Sequence, residues 1–574
     1  MGAWSYWLIH LMSEIILLSD IPTHSKETYA ARYAGPYVVR SQLEVAGYDA
    51  IVLDWFRFIK DEDKFFDYFE NFIDEKTLCV GITTTFLLPE SAASKIGSGM
   101  GQVIQHEEVA NITDETVAAS SLYLWEWSNE DLTPWLRRMR NLLDKYNKDA
   151  KIILGGHRVH KIIQFSDIAP PDYCVAKYVD YLLAGYTDFT AVKLLNKIKA
   201  KQEIKPTVIK NGLKVISPSD FGEWKSAKKQ VPVSLFSHKD AIERRHWLPL
   251  EVSRGCAFNC KFCSYEKRGT HKKDIKLLYD ELCYNYDNFG TTGYNISSDC
   301  FNDDRRFVGN WAEMVAKLPF KLEWVSFARL DLFHRFPETM DELLDSGYRA
   351  GWFGIETLSH TAGKAAGKGL NPDRVKELIE IFSKKGKDRF WFTAYFIIGL
   401  PKETVESLAE TLEWLMKQRL LDEVQVSSLG VAPFIEELSS VIDFSDHSKM
   451  PEKFGFKKLT FDPVFYWEHD TMNFNQCKTV QKEWEDAFYD HPFTRFGGGS
   501  HGEYPRIRDL GLDHKQTVVY LKTKFLRGSS MITVDKKAKR KFKEGVMDLS
   551  TKNVENYYKK MLEINAKSNS MYTA

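Results

Sequence analysis

The sequence predicts an α/β protein: an N-terminal doubly wound, flavodoxin-like domain, a second parallel α/β domain, and an α-rich C-terminal region. Three observations predict it. Short apolar runs recur through residues 13–200 and again from 246 to about 432, with helical patterns between them. Glycines and polar residues gather just past the ends of these runs, where parallel α/β sheets collect functional groups. Beyond about residue 432 the alternation ends, and aromatic and histidine-rich segments follow. The expected boundaries are 13–205, a hairpin and linker at 206–245, 246–432 and 433–574.

In the first domain the expected strands are Ile15–Ser19, Ala50–Leu53, Leu78–Thr83, Lys151–Leu154 and Tyr181–Leu183. Helical patterns fall at about Tyr37–Ala46 and Pro134–Tyr146, and from Tyr186 to Lys199. Five short strands with helices between them make a doubly wound sheet. Gly155-Gly156 and Gly185 follow the last two strands, where a missing side chain lets the backbone approach a ligand. Ser94–Trp127 reads as an insertion able to cover such a ligand. Asn211-Gly212, between apolar residues in Thr207–Ile216, signals a tight hairpin.

The second domain begins with the strand Leu248–Ser253, then a helix over about Lys273–Asn288. Tyr294–Ser298 ends in the polar cluster Asp299, Cys300, Asn302, Asp303, Asp304. Leu322–Phe327 ends at Arg329 and Asp331, and Gly351–Ile355 ends at Glu356. After a helix from about Pro372 to Lys384 comes Trp391–Ile398, which ends in Gly399-Leu400-Pro401-Lys402-Glu403-Thr404. Glu423–Leu429 is the last strand. In the C-terminal region, helices are expected at about Asn475–Tyr489 and Lys552–Ala566. His469 and His501 suit packing, and Cys300 and Cys477 suit small buried residues.

Composition bounds the function. A chain of 574 residues holds two to four domains, and 44% hydrophobic with 27% charged residues is ordinary for a soluble protein. A net charge of −1 creates no field toward nucleic acid or membrane. The basic run Lys536–Lys543 reads as a solvated helix face. Residues 1–11 are apolar but too short to cross a bilayer, and they lack the start and cleavage site of a signal peptide. They read as an extension before a second start at Met12. A cytoplasmic location is expected.

The chemistry lies in Cys256, Cys260 and Cys263, spaced C-x3-C-x2-C on one loop, with Phe262 before the third. Three thiolates can bind three irons of a [4Fe-4S] cluster and leave the fourth open for a ligand. The competing reading is a zinc loop. Zinc prefers two separated ligand pairs, and only His271 follows here. The remaining cysteines are single and scattered, so a disulfide framework is not expected.

This motif, between a strand and a helix, resembles the radical S-adenosylmethionine (SAM) superfamily. In that family the open iron chelates SAM, and an electron from the cluster cleaves it to a 5'-deoxyadenosyl radical. The resemblance implies a partial (β/α)6 barrel. Gly354-Ile355-Glu356 and the run 397–404 look like the family's fourth- and fifth-strand signatures. It implies SAM contacts at Phe262, Asp299, Asn302, Asp303, Arg329, Glu356 and Gly399. The family's Gly-Gly-Glu form is absent at the second strand.

The first domain, placed before such a barrel, resembles the cobalamin-binding domain of B12-dependent radical SAM enzymes. The Asp-x-His-x-x-Gly signature is absent, and His24 and His157 lack its context. The resemblance implies backbone contacts at Thr83, Thr84, Thr85, Gly155, Gly156 and Gly185. Together these readings imply cobalamin-dependent C-methylation of an unidentified small molecule or peptide, with an electron donor such as flavodoxin or ferredoxin. The alternatives are a radical rearrangement or cyclisation, methylthiolation (for which a second three-cysteine motif is missing), and a metal-binding protein without turnover.

Overall fold

The first sheet is built from β1 (Ile15–Leu18), β2 (Ala50–Leu53), β3 (Cys79–Thr83), β4 (Lys151–Gly155), β5 (Tyr181–Leu183), β6 (Val208–Lys210) and β7 (Leu213–Ile216). Their spatial order is β2-β1-β3-β4-β5-β7-β6, all parallel except the β6–β7 hairpin. The first five strands have the flavodoxin-like 2-1-3-4-5 order. β1 reads Ile-Ile-Leu-Leu and is buried on both faces, as a central parallel strand must be. Ile15 and Leu17 pack under the helices Ala34–Val45 and Asp188–Lys199, while Ile16 and Leu18 meet Phe65 and Leu136 from helices on the other face. Each such side chain contributes about 1.5–3 kcal/mol by leaving water. The Asn211-Gly212 hairpin is present, with both residues at positive φ. It is part of the sheet rather than a free connector, because β7 pairs with β5.

The computed structural model describes residues 13–19, 32–59, 61–85, 88–89, 129–130, 132–166, 173–206, 208–222, 229–264, 269–431, 434–439, 443–460, 466–489, 491, 493–497, 503–525 and 536–570. Residues 1–11, His24, the expected insertion Ser94–Trp127 and His501 lie outside or almost wholly outside them.

The second sheet runs in chain order: β8 (Leu248–Glu251), β9 (Gly293–Ser297), β10 (Glu323–Ala328), β11 (Tyr348–Glu356), β12 (Trp391–Ile398), β13 (Glu423–Ser428) and β14 (Arg495–Gly497). All are parallel, which makes a partial barrel. Its outer helices start where the sequence supplies caps. The side chains of Asp274, Asp304, Asn371 and Thr404 each accept a backbone N–H of the first turn. β14 was not legible in the sequence. It has three residues, and its place depends on pairing with β13 far away in the chain. The C-terminal region also holds a three-stranded antiparallel sheet, Phe456–Thr460, Tyr466–His469 and Met472–Asn473. Within it the helix Phe474–Phe488 agrees with the expected Asn475–Tyr489.

Aromatic side chains fill the space between strands and outer helices, as in the stack of Trp324 on Tyr348 and of Phe333 on Phe382. The opposite face of the strands, with Val325, Trp352 and Trp391, points into the barrel. The short helix Glu503–Asp509 closes its amino-terminal end through Tyr504 and Ile507. Buried polar contacts tie the domains together. Arg32 donates to Asp54 (3.0 Å) and to the Asp240 carbonyl (3.0 Å), and meets His246 (2.9 Å). On the helix Lys536–Ser570, the Tyr558 hydroxyl donates to the Asp54 carbonyl (2.9 Å).

Candidate active site

The cysteine loop leaves β8 at the carboxyl end of the barrel. Ser253–Arg254 pairs antiparallel with His271–Lys272 and closes the loop as a ribbon. Inside it, Gly269 N donates to the Cys256 carbonyl and Cys263 N to the Cys260 carbonyl, both at 3.2 Å. Lys261 N reaches the Ala366 carbonyl (3.0 Å), which docks the loop on the segment after β11. Gly367, at φ +81°, permits this approach: a Cβ there would stand 3.3 Å from the Asn259 carbonyl oxygen. All three cysteines are of intermediate exposure and outside any disulfide. Burial pushes the Cys256 thiol up, against the N–H of Phe258 and with Asp303 and Asp299.

Charged side chains from neighbouring strand ends hold this loop. The Asp303 carboxylate is fully buried and pairs with Lys272 (2.6 Å). It also accepts from the Thr270 hydroxyl and from Ala257 N (3.2 Å), beside Cys256. Arg329 donates to the Cys260 sulfur (3.3 Å), lies over the Phe258 ring (3.9 Å) and pairs with Asp331 (2.5 Å). Burial alone would push the Asp331 carboxyl up, but Arg329 holds it below the usual range.

The residues expected at SAM fall into two groups. Arg329, Asp299 and Glu356 stand at or just past the carboxyl ends of their strands and Phe262 on the cysteine loop, with Arg329 touching Cys260. Asp299 is exposed there and close enough to act on Cys256. Glu356 adopts φ +69° at a register shift of β11, and Lys368 holds its carboxylate at 3.3 Å. A left-handed glutamate costs roughly 1–2 kcal/mol, and such strain clusters at functional sites.

The second group is engaged elsewhere. Asn302 uses its amide oxygen for Arg329 N (2.8 Å) and its amide nitrogen for the Arg329 carbonyl (2.9 Å). Asp303 is the loop's clamp. Gly399, at φ +91°, is buried under Trp467: a Cβ would stand 2.5 Å from that ring. Its carbonyl meets His469 Nε2 at 3.0 Å. His469 is buried and stacked on Trp467, and burial holds its pKa low. Cys300 and Cys477 are buried, as expected.

Three site-shaping residues escaped the sequence reading. Lys272 and Lys368 carry no local signal, because their carboxylate partners are distant in the chain. Glu403 could have been suspected from its place in the 397–404 run. It is buried, accepts from Thr357 Oγ1 (2.6 Å), Gly399 N (3.0 Å) and Leu400 N (3.3 Å), and burial pushes its pKa up to about 7.

A cavity of about 280 Å³ opens at the carboxyl ends of β1, β3, β4 and β5. Thr83, Thr85, Gly155, Gly156 and Gly185 line it, with the apolar side chains of Leu17, Ile153 and Leu195 deeper in. Thr84 does not; it is buried and its amide bonds the Gly155 carbonyl (2.6 Å). Gly156 sits at φ +106°, where a Cβ would stand 3.1 Å from Thr83 Oγ1 and 3.2 Å from Thr84 N. Only a residue without a side chain fits between these neighbours. His157 also lines it, as do Glu251 and Arg254, the residues that lead into the cysteine loop. Arg254 joins Glu251 (2.8 Å) to Asp188 (3.0 Å) and lies over Tyr186 (4.7 Å), so cavity and loop share a buried ion network.

Residues 250–415 match the model of the Radical SAM superfamily. The match spans most of the second sheet, from β8 through β12. Among curated proteins, an uncharacterized methyltransferase of Pyrococcus horikoshii is 22% identical over 47% of this chain and 59% of its own length. The bacteriochlorophyllide d C-12(1)-methyltransferase of Chlorobaculum tepidum is 25% identical over 43% of this chain and 58% of its own. The chain thus spans somewhat over half the length of these two relatives. Among solved structures, the radical SAM methyltransferase TsrM of Kitasatospora setae, with cobalamin and a [4Fe-4S] cluster bound, has a TM-score of 0.52 at 13% identity. That match covers 94% of this chain and all of TsrM. The cobalamin-dependent radical SAM enzyme OxsB, with aqua-cobalamin and SAM bound, has a TM-score of 0.55 at 12% identity over 97% of this chain and 80% of its own. The likeness extends through both sheets, and at these identities it is a likeness of fold.

The donor set fits an iron–sulfur cluster. Cys256, Cys260 and Cys263 stand on one loop, half-buried and outside any disulfide, and three thiolates suit three irons of such a cluster. Among the described residues no helix is long and apolar enough to cross a membrane.

Proposed function

We propose that this chain is a cobalamin-dependent radical SAM methyltransferase acting on carbon. One observation carries the reading: Glu251 and Arg254 help line the glycine-lined cavity of the first domain, and Arg254 is two residues from Cys256. An occupant of that cavity and a cluster on the loop would face one reaction space. The folds shared with TsrM and OxsB and the names of the curated methyltransferases support the same reading.

In this reading Cys256, Cys260 and Cys263 hold three irons, and Arg329 donates to the Cys260 sulfur. Asp299 and Glu356 stand where the polar groups of SAM would be held. Thr83, Thr85, Gly155, Gly156 and Gly185 would hold cobalamin through backbone and hydroxyl contacts, and the cavity has room for one arm of it rather than its macrocycle. When bound, the cluster supplies one electron to SAM and cobalamin supplies the methyl group. The protein's part is to bring these groups together and exclude water. A reduced flavodoxin or ferredoxin is the partner class that would load the electron.

Anaerobic purification from cells supplied with cobalamin tests this. About four irons and four sulfides per chain with about one cobalt are expected. Iron without cobalt would overturn the methyl-transfer reading and favour a rearrangement or cyclisation driven by the 5'-deoxyadenosyl radical.

A further inference from the structure

A buried cation joins the two domains beside the cysteine loop. Arg254 lies just past β8, and its side chain is 3% exposed. Its Nε and Nη2 donate to the two carboxylate oxygens of Glu251, at 2.8 and 2.9 Å. Glu251 ends β8, so this grip is local to the barrel. Nη1 stands 3.0 Å from the carboxylate of Asp188, which is buried and opens the helix Asp188–Lys199 of the first domain. The guanidinium also lies over the ring of Tyr186 (4.7 Å). Glu251 thus fixes Arg254 on its own strand, while Asp188 and Tyr186 tie the first domain to it.

Arg254 also belongs to the frame of the cysteine loop. It pairs with His271 in the ribbon that closes the loop, where Ser253 pairs with Lys272. Lys272 in turn holds Asp303 (2.6 Å), which accepts from Ala257 N beside Cys256. Arg254 lines the cavity of the first domain as well, together with Gly185, Tyr186, Asp188 and Glu251. An occupant of the cavity packs against the residues that grip Arg254 and restricts where they stand. The same contacts restrict the loop, because Arg254 is part of both. Coupling of this kind is reciprocal: if an occupant orders the loop, an ordered loop tightens the occupant by the same factor.

We propose that Arg254 is a positioning residue that carries the state of the first domain's cavity to the cysteine loop, so that cobalamin and the cluster bind cooperatively. This rests on the reading of the cavity as part of a cobalamin site, but its test needs no turnover. Equilibrium dialysis gives the hydroxocobalamin dissociation constant of the protein with its cluster reconstituted, and of the same protein with the cluster chelated out, both without SAM. The wild type is expected to bind about tenfold more tightly with its cluster than without it. Asp188→Asn keeps the shape of the cavity wall and leaves Arg254 on Glu251, but gives up the charge pair between the domains. Its two dissociation constants should agree. Arg254→Lys keeps the charge and loses the fork that reaches two carboxylates at once, so its ratio should fall as well. A purely structural role would weaken both forms alike and leave the ratio unchanged. Equal dissociation constants in the wild type, or an undiminished ratio in both variants, would overturn the proposal while cobalamin binding stands. A protein that binds no cobalamin in either form overturns the proposed function and this inference together, so the two failures are distinguishable.

Discussion

Asp303 decides between two roles for the polar cluster after β9. If it holds the cysteine loop, Asp303→Asn should strip iron from the protein. If it holds SAM, the same change should weaken SAM and leave iron in place. The structure gives the magnitude. Asp303 is fully buried and Lys272 is 12% exposed, so neutralising one member leaves a largely buried charge without its counter-ion. Breaking a buried pair from one side costs about 3–5 kcal/mol. An asparagine can still accept from Ala257 N or Thr270, which softens the loss toward the lower figure. A cost of about 3 kcal/mol is a factor of more than 10² in the population of ordered loop. The assay is iron and sulfide per chain after anaerobic reconstitution, with the EPR signal of the reduced cluster and SAM affinity on the same samples. Iron well below four per chain is expected. Lys272→Met in the same chain should restore part of it, because an apolar side chain removes the unmatched charge. Four irons, an unchanged EPR signal and a raised SAM dissociation constant in Asp303→Asn would refute the clamp.

Three further outcomes are expected. Gly156→Val, which sets a branched side chain at φ +106° against Thr83 and Thr84, should abolish cobalt retention while iron per chain is unchanged; cobalt and iron analysis reads both. Arg329→Gln removes a cation 3.3 Å from the Cys260 sulfur and should lower the cluster's midpoint potential by tens of millivolts, read by redox titration followed by EPR. Glu403 has a folded pKa raised from 4.5 to about 7. The folded state therefore holds its proton more tightly than the unfolded chain. Stability from this group is full below pH 4.5 and is lost as pH rises through 7, by about 3 kcal/mol. Glu403→Gln, neutral throughout, should flatten that part of the melting-temperature profile; an unchanged slope would count against the assignment.

Much of the fold was legible because the signals are local. The apolar runs that became β1 to β5 and β8 to β13 stand in the sequence with nearly their final ends, since a strand buried on both faces must be continuously apolar. β11 begins earlier than expected, at Tyr348 rather than Gly351, because Tyr348 pairs with Trp324 on the neighbouring strand. The hairpin at Asn211-Gly212 was readable from two residues, whereas its parallel pairing with β5 was not.

By itself the sequence determined the three thiols on one loop, the glycines past β4 and β5, and the order of strands and helices that carries both. These follow from residues close together in the chain, whose spacing is their chemistry. Only the tertiary structure decided which charges serve the ligand and which serve the loop. Asp299, Asn302 and Asp303 look alike in sequence; folding exposes the first, ties the second to the backbone of Arg329 and buries the third against Lys272. It also set Trp467 on Gly399 and brought Arg254 to the wall of the first domain's cavity. Such assignments depend on partners tens to hundreds of residues away, and a carboxylate or a glycine carries no local mark of the partner it will meet.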